Sequence, residues 1–590
     1  MIKAEKLSFS FPEKELYHKI SFTLEEGQHG VLIGSNGTGK STLIEMIRDQ
    51  EKHLFDGKLK VQPNIRIGYV SQFTSVADDS EMTVFDYLCE PFRNLETQIA
   101  KVCEDMGIVE DLEPLMERYQ QLLDESMAMD SDNHESNIKK QLKVANLEKQ
   151  ETQQLSNLSG GEYKLVQILR EMLVMPGLLI MDEPDGFLDF ENLTGLERLI
   201  NAYQGTMLVI THNRYLLNHC FNKILHLENG DIQEFDGTYS AYNYTLLQSK
   251  IDMQEAAAED EAEIERNKKI VEKMRNNATK YTNAALGRTL NARVSLVKRL
   301  EERKIKEPFL EIHHPEVHLS TDYVSGHEWV VKVSDYKAEF DELLLDHVEF
   351  EIGPQEKVAV IGSNGTGKTT LLRDIYKAAK IEAGDEEQEK LAAVSFAPDT
   401  ETAFLSQLQG DILTESHTVL EEFESWGIEK EEEAKDYLNR FCLNEELLYS
   451  RVGKLSGGEK NLLQLIRISI GQANLLLLDE PTSHLDVYAQ EALERAIQDY
   501  NGAVLMVSHD FYTVANCMDY VLMIESGSIR KMSIRRFRQM IYENHFDKDY
   551  LEMEQKKKEL EMRIQKALED HDLDKAKKLS EDLGELVKKM

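Results

Sequence analysis

The 590-residue chain is short of cysteine and tryptophan, has no long apolar run and carries a deficit of positive charge. Its five cysteines, Cys89, Cys103, Cys220, Cys442 and Cys517, form no CxxC pair. That excludes a disulfide framework and a zinc knuckle and predicts small buried hydrophobes instead. No run of about 18 apolar residues occurs, and no charged-then-apolar leader opens the chain, so neither a membrane span nor an export signal is expected. A cytoplasmic location follows as an expectation. Lys and Arg number 68 against 107 Asp and Glu, a net charge of −39, which argues against general polyanion binding because phosphate contacts need cations. The deficit is uneven, however. Between Arg266 and Lys306 stand 13 Lys/Arg and 3 Asp/Glu, a local balance of +10, so the other 549 residues carry −49. Such a body repels nucleic acid generally and admits it at one place; the alternative is a solvated charged hairpin without a partner.

One set of motifs occurs twice in the same order. The first copy reads Gly34-Ser35-Asn36-Gly37-Thr38-Gly39-Lys40-Ser41, Gln72, Leu158-Ser159-Gly160-Gly161-Glu162, Asp182-Glu183-Pro184 and His212. The second reads Gly362 to Thr369, Gln407, Leu455-Ser456-Gly457-Gly458-Glu459, Asp479-Glu480-Pro481 and His509. Signature Ser to acidic Glu is 24 residues in both copies, and that Glu to the His is 29 in both. Two lobes share one plan.

Each glycine loop follows an apolar strand, Val31 to Ile33 or Val358 to Ile361, and leads into a helix. Further apolar runs, Leu178 to Met181, Leu475 to Leu478, Met207 to Ile210 and Val504 to Val507, end at the acidic pair or just before the His. Short strands alternating with amphipathic helices predict α/β domains with largely parallel sheets and ligands at the carboxyl ends of the strands. The expected organisation is a cassette at 1–245, a basic helical linker at 246–327, a second cassette at 328–542 and a helical extension at 543–590. Gln72 to Ser159 spans 87 positions but Gln407 to Ser456 only 49, a surplus of 38 in lobe 1. It is assigned to a helical arm at about 93–138, with apolar spacing at Leu95, Ile99, Val102 and Met106 and at Leu112, Leu115, Met116 and Tyr119.

The linker reads as a helical hairpin, with Ile264, Ile270 and Met274 on one helix and Val294, Val297 and Leu300 on the other. Its tip, Asn276 to Arg288, is rich in Asn and Thr, and Pro308 ends it. The C-terminal segment reads as a smaller hairpin broken near Asp570-His571-Asp572.

A GxxxxGK[ST] loop presents backbone N–H groups and a helix N-terminus to phosphates. Gly34, Asn36, Gly37 and Gly39, with Gly362, Asn364, Gly365 and Gly367, form the two cradles. Lys40 and Lys368 would reach the terminal phosphates, and the hydroxyls of Ser41 and Thr369 would bind Mg²⁺. Thr42 and Thr370 complete the loops, and Gln72 and Gln407 are counted with both nucleotide and metal. Asp182 and Asp479 end apolar strands, where a buried carboxylate needs a cation to face. Glu183 and Glu480 are placed to address the attacking water, and His212 and His509 to hold the leaving geometry. Phe9, Phe11 or Tyr17 in lobe 1, and Tyr336 or Phe340 in lobe 2, are the aromatics that could stack on adenine; for any one of them an ordinary core role is the favoured reading.

The Leu-Ser-Gly-Gly-Glu runs and their companions resemble the ATP-binding-cassette ATPases. That resemblance implies two lobes closing head to tail, with Ser456, Gly457 and Gly458 completing the Lys40 site and Ser159, Gly160 and Gly161 completing the Lys368 site, on a monomer. Two cassettes, no span and a charged linker of roughly 80 residues further resemble the ABC-F family, as does Asp236-Gly237-Thr238-Tyr239-Ser240-Ala241-Tyr242 at the end of lobe 1. The resemblance implies an ATPase using ATP and Mg²⁺ that binds the ribosome at the tRNA exit site. Its linker would approach 23S rRNA, peptidyl-tRNA and the peptidyl-transferase centre. Lys273, Arg275, Lys280, Arg288, Arg293, Lys298 and Arg299 are the candidate RNA contacts, and the arm falls where some members reach the ribosomal stalk region. Lobe 1 departs from the family pattern: Pro184-Asp185-Gly186-Phe187-Leu188-Asp189 stands where lobe 2 has Pro481-Thr482-Ser483-His484-Leu485-Asp486. This puts the equivalence of the two sites in question and favours ribosome protection conferring antibiotic resistance over a housekeeping or stress translation factor. The remoter alternatives are the ATPase subunit of a transporter and a DNA-associated ATPase.

Overall fold

The computed structural model describes all residues except 12–14, 64, 73–80, 109–111, 187, 279–293, 295–314, 322–323, 340–342, 381–390, 408–409, 411, 526, 546–547 and 590. The chain divides into two compact units, Met1–Asp236 with His313–Ile541, and Gly237–Ile312 with Tyr542–Met590. Both cassettes therefore belong to the first unit. The linker joins the C-terminal extension in the second, and the breaks fall at 236 and 312 where the sequence suggested 245 and 327.

Each cassette is built on a six-stranded sheet of the same order. In lobe 1 the strands Ile67–Val70, Leu178–Asp182, Thr206–Ile210, His29–Ile33 and Lys223–Glu228 run parallel, and Asp231–Asp236 closes the edge antiparallel. Lobe 2 repeats this with Thr402–Leu405, Leu475–Asp479, Ala503–Val507, Lys357–Ile361, Tyr520–Glu525 and Ser528–Ser533. The central strands are buried along their whole length, as a sheet covered on both faces requires. A three-stranded antiparallel sheet stands beside each, formed in lobe 1 by Ile2–Ser10, Glu15–Leu24 and Asp56–Val61. Its inner residues Leu7, Tyr17, Ile20 and Phe22 share one core with the parallel strands.

The lobe 1 surplus is helical but wider than the sequence suggested: Val84–Met106, Glu113–Ala128 and His134–Val144. Thr83 caps the first of these and bridges Gln154, while Thr418 caps Val419–Ser425 and bridges Arg451 in lobe 2. The same entry point thus serves a long arm in one lobe and a short helix in the other. The expected face of Glu113–Ala128 is corrected: Leu112 and Met116 are exposed, and Leu122 is buried instead. Cys103 and Cys442 are exposed, not buried as expected; Cys89, Cys220 and Cys517 are buried.

In the second unit the helix Tyr239–Ala278 is packed by an antiparallel pair, Lys548–Glu569 and Leu573–Val587. Ile251 lies in one apolar cluster with Leu560, Ile564, Leu579 and Leu583. Gln248 donates to Ser580, and Lys557 Nζ donates to the Ser240 hydroxyl at 2.8 Å. The break at Asp570-His571-Asp572 is where His571 turns left-handed (φ 55°) and Asp572 caps the last helix. Ile264 and Val271 are buried on the linker helix, and Ile270 is half-buried. The linker helix runs on through Asn276, Asn277 and Ala278, which the sequence assigned to the tip; the rest of the tip, Val297, Leu300 and Pro308 lie outside the described residues.

Candidate functional site

The glycine loops are shaped by backbone conformation. Gly37, Gly39, Gly365 and Gly367 all have positive φ, which an L side chain rarely adopts, and this turns successive N–H groups toward one point. The helices Lys40–Arg48 and Lys368–Lys380 begin there. Lys40 Nζ donates to the Gly34 and Ser35 carbonyls at 2.8 and 3.0 Å, and Lys368 Nζ to those of Gly362 and Ser363, both at 2.8 Å. Burial pulls both ammonium pKa values down. Thr42 and Thr370 follow in the first turns of these helices.

At the positions expected to face a metal, the Ser41 hydroxyl bonds Asp182, and Thr369 Oγ1 donates to Asp479 Oδ1 at 3.1 Å. The Gln407 backbone N–H also faces Asp479. Burial raises both aspartates to about 6, with the charge of Glu183 adding to the effect on Asp182. Asp479 Oδ2 is buried without a hydrogen-bond partner. A hydroxyl beside an unsatisfied carboxylate oxygen is the oxygen donor set a hard divalent cation takes, so these residues fit Mg²⁺, which supplies charge neutralisation at the phosphates when bound.

Glu183 and Glu480 sit in left-handed backbone, φ 46° and 48°, which holds each carboxylate at the carboxyl end of its strand. They are not held alike. Glu183 Oε2 accepts from Gln72 Nε2 at 2.6 Å, whereas Glu480 Oε2 accepts from the His509 backbone N–H at 3.2 Å. Burial lifts Glu480 to about 8. Burial also lowers His212 far below its ordinary value and brings His509 to about 3, with Lys40 and Lys368 pushing the same way. Neutral imidazoles therefore stand in both sites.

The two lobes meet through these motifs. The Asn36 backbone N–H donates to Asp486 Oδ2 at 3.1 Å, Asn36 Nδ2 donates to the His484 carbonyl at 2.9 Å, and the Asn364 N–H donates to Asp189 Oδ2 at 3.3 Å. A Cβ added to Gly458 would lie 2.6 Å from Asn36 Nδ2, so that signature glycine faces the opposite loop. Ser456 caps its helix through the Glu459 N–H, as Ser159 does through Glu162; Gly161 and Gly457 lie in those first turns. A cavity of ≈ 550 Å³ is lined by Lys368, Thr369, Gln407, Glu480 and His509 from lobe 2 and by Gly160, Glu183 and His212 from lobe 1.

Asp189, Asp486, His484 and Lys164 lie in the site and were missed in the sequence. The repeated Leu-Asp after each Glu-Pro was the available signal for the two aspartates. Of the stacking candidates, Tyr17 and Tyr336 are core residues, bonded to the Gly39 carbonyl and Asp374. Phe11 is exposed, against Phe9, and Phe340 lies outside the described residues. Of the RNA candidates Lys273 is exposed on its helix and Arg275 is placed by backbone; Lys280, Arg288, Arg293, Lys298 and Arg299 lie outside the described residues.

The chain belongs to the ABC transporter family, whose ATPase domain it matches over residues 17–186 and 345–483, with the family's extension segment at 225–311. It is an ATPase of ABC-F type that uses ATP with Mg²⁺. It is 29% identical over 546 residues to ABC transporter F family member 5 of Arabidopsis thaliana, covering 90% of this chain and 75% of that one. It is 29% identical over 521 residues to the energy-dependent translational throttle protein EttA of Escherichia coli K12, covering 87% and 89%. Among solved structures it matches ABCE1, from a model of ribosome-bound archaeal Pelota and ABCE1, with TM-score 0.51 and 19% identity over 91% of this chain and 80% of that one. That likeness speaks to the fold. Among the described residues, no helix is long and apolar enough to cross a membrane.

Proposed function

We propose that this protein is a cytoplasmic, ribosome-associated ATPase in which ATP closes two lobes and hydrolysis reopens them. The carrying observation is the pairing of each phosphate loop with the opposite lobe, Asn36 on Asp486 and Asn364 on Asp189, so nucleotide bound at either loop would complete a contact between lobes. Glu183 and Glu480 are assigned as the water-orienting groups, His212 and His509 as the switch histidines, and Ser41, Thr369, Asp182 and Asp479, with Gln72 and Gln407, as the metal neighbours. Ribosome binding is supported by the likeness to a translational throttle protein and by the +10 segment from Arg266 to Lys306 in an otherwise acidic chain. At the tRNA exit site that segment would lie against 23S rRNA and peptidyl-tRNA near the peptidyl-transferase centre, with phosphates as its first targets. The chain acts as a monomer in this reading.

The test is sedimentation of the Glu183→Gln/Glu480→Gln protein with ribosomes in ATP. Co-sedimentation that ADP abolishes supports the reading; binding to duplex DNA or membranes in its place would overturn it. The finer reading, protection of the ribosome from an inhibitor, rests on the Asp185-Gly186-Phe187 departure. It requires that expression raise the tolerance of a sensitive host to a drug acting at the peptidyl-transferase centre. Unchanged tolerance with altered translation would favour a housekeeping or stress factor.

A further inference from the structure

Between the signature Ser and the His the repeat runs at a constant offset of 297, since 456 − 159 = 509 − 212, so lobe 2 can be laid on lobe 1 residue by residue. Lys164 corresponds to Asn461, Gln167 to Gln464 and Asp185 to Thr482; ahead of the signature the two glutamines set the offset at 407 − 72 = 335, which brings Ser71 onto Ser406. In lobe 2 the segment carrying Gln407 is held by a neutral amide: Ser406 N–H donates to Gln464 Oε1 at 3.0 Å, and Gln464 Nε2 donates to the Ser406 carbonyl at 3.2 Å. Asn461 turns the other way, donating to the Pro481 and Ser483 carbonyls at 3.0 and 2.9 Å. In lobe 1, which keeps the glutamine as Gln167, an ammonium group also holds this segment. Lys164 is 1% exposed, and its Nζ donates to the Ser71 carbonyl and, at 3.2 Å, to the Gln72 carbonyl. Gln72 in turn places its side-chain amide on Glu183.

A buried ammonium is costly without opposing charge. The charges acting on Lys164 are Asp185, then Asp182 and Glu183. Asp185 Oδ1 is fixed by the Thr211 hydroxyl at 2.6 Å. Lys164 and Asp185 thus add a charge of each sign to lobe 1 where lobe 2 has none, and the charge of Glu183 acts on both.

We infer that Lys164, balanced by Asp185, is a positioning residue of the lobe 1 site alone: it clamps the Gln72 segment to the signature helix so that the Gln72 amide fixes Glu183. The inference rests on the roles given above to Glu183 and Gln72. Lobe 2 has no counterpart, because Asn461 and Thr482 bring no charge. The departure at Asp185 then adds, with Asp182 and Glu183, to the negative field around an ammonium group in the signature helix 21 residues earlier.

Two measurements test this. In the nucleotide-free protein, Lys164→Asn and Asp185→Thr are each expected to lower the Tm, and the double variant, which carries the lobe 2 residues, to recover most of the combined loss. Additive losses would overturn the pairing. For hydrolysis, Glu480→Gln leaves turnover from the lobe 1 carboxylate and Glu183→Gln leaves turnover from the lobe 2 carboxylate. Lys164→Asn should lower kcat in the Glu480→Gln background by about tenfold, the effect of about 1.4 kcal/mol in the barrier, with KM for ATP unchanged. In the Glu183→Gln background the change should be under about twofold. Adding Gln72→Ala should remove the sensitivity to Lys164, and Lys164→Arg should retain most of the activity. Equal losses in both backgrounds, or a Lys164 effect that persists without Gln72, would overturn the clamp. Full hydrolysis by the Glu183→Gln/Glu480→Gln protein would instead overturn the catalytic assignment, so the two failures are told apart.

Discussion

Glu183 and Glu480 occupy the same place in two copies of one motif and have different neighbours. Glu183 is held by a side-chain amide and faced at 4.0 Å by His484 of the opposite lobe; Glu480 is held by a backbone N–H. Positioning governs this chemistry, so the two variants should differ. Glu183→Gln is expected to cost at least about threefold more ATPase activity than Glu480→Gln, and equal losses would show the sites to be equivalent. Protonation separates residues too. Native Glu480, raised to about 8, keeps a proton that the unfolded chain gives up above about 4.5. The stability this adds is complete below the unfolded value and is lost as pH rises through about 8. Melting of the nucleotide-free protein should therefore fall towards about pH 8, most clearly above about 6.5 where His509 no longer opposes it, and Glu480→Gln should flatten that fall. His509 has the opposite sign: held neutral down to about 3, it removes stability as acid protonates the unfolded chain below its ordinary 6.5.

At the scale of elements, repetition hides asymmetry in packing. The helix Arg214–His219 follows His212, and Arg214, though buried, crosses to lobe 2, where Glu494 and Asp510, the latter at 3.1 Å, accept its guanidinium. The corresponding residue in lobe 2 is Phe511, which packs on Phe537. Removing one partner of a buried ion pair leaves the other uncompensated. Glu494→Gln is expected to destabilise the protein by about 3 kcal/mol in denaturant melts, and Arg214→Met/Glu494→Leu to recover much of it. The C-terminal pair depends on a smaller device. Asp572 accepts from the Lys575 N–H at 3.2 Å, and Asp572→Ala should cost about 1 kcal/mol, read as loss of helical signal at a lower temperature.

For the whole molecule the uneven charge matters most. An acidic body with one basic segment is steered by its field, and binding through phosphates releases counterions. Ribosome retention of the Glu→Gln double variant should weaken linearly in log salt. Each of Lys273, Arg275 and Lys280 replaced by Gln should reduce that slope by about 0.7–0.9 if it meets a phosphate. An unchanged slope would place those cations in solvent.

The parallel sheets, glycine loops, acidic strand ends and C-terminal break could be read from the sequence, because each depends on local periodicity or on spacing along one strand. The arm's inward face could not: Leu112 and Met116 obey helical spacing as well as Leu122 does, and only the neighbouring helices decide which face is covered. Tyr17 and Tyr336 fill cores, the reading the sequence favoured, although an aromatic beside a glycine loop can also stack. By itself, the sequence determined that one motif set occurs twice and which residues form its glycine loops and acidic strand ends. The tertiary structure decided how those sites differ. Lys164 meets Gln72 across 92 residues and Arg214 meets Glu494 across 280, and contacts at such separations leave no period or spacing in the chain.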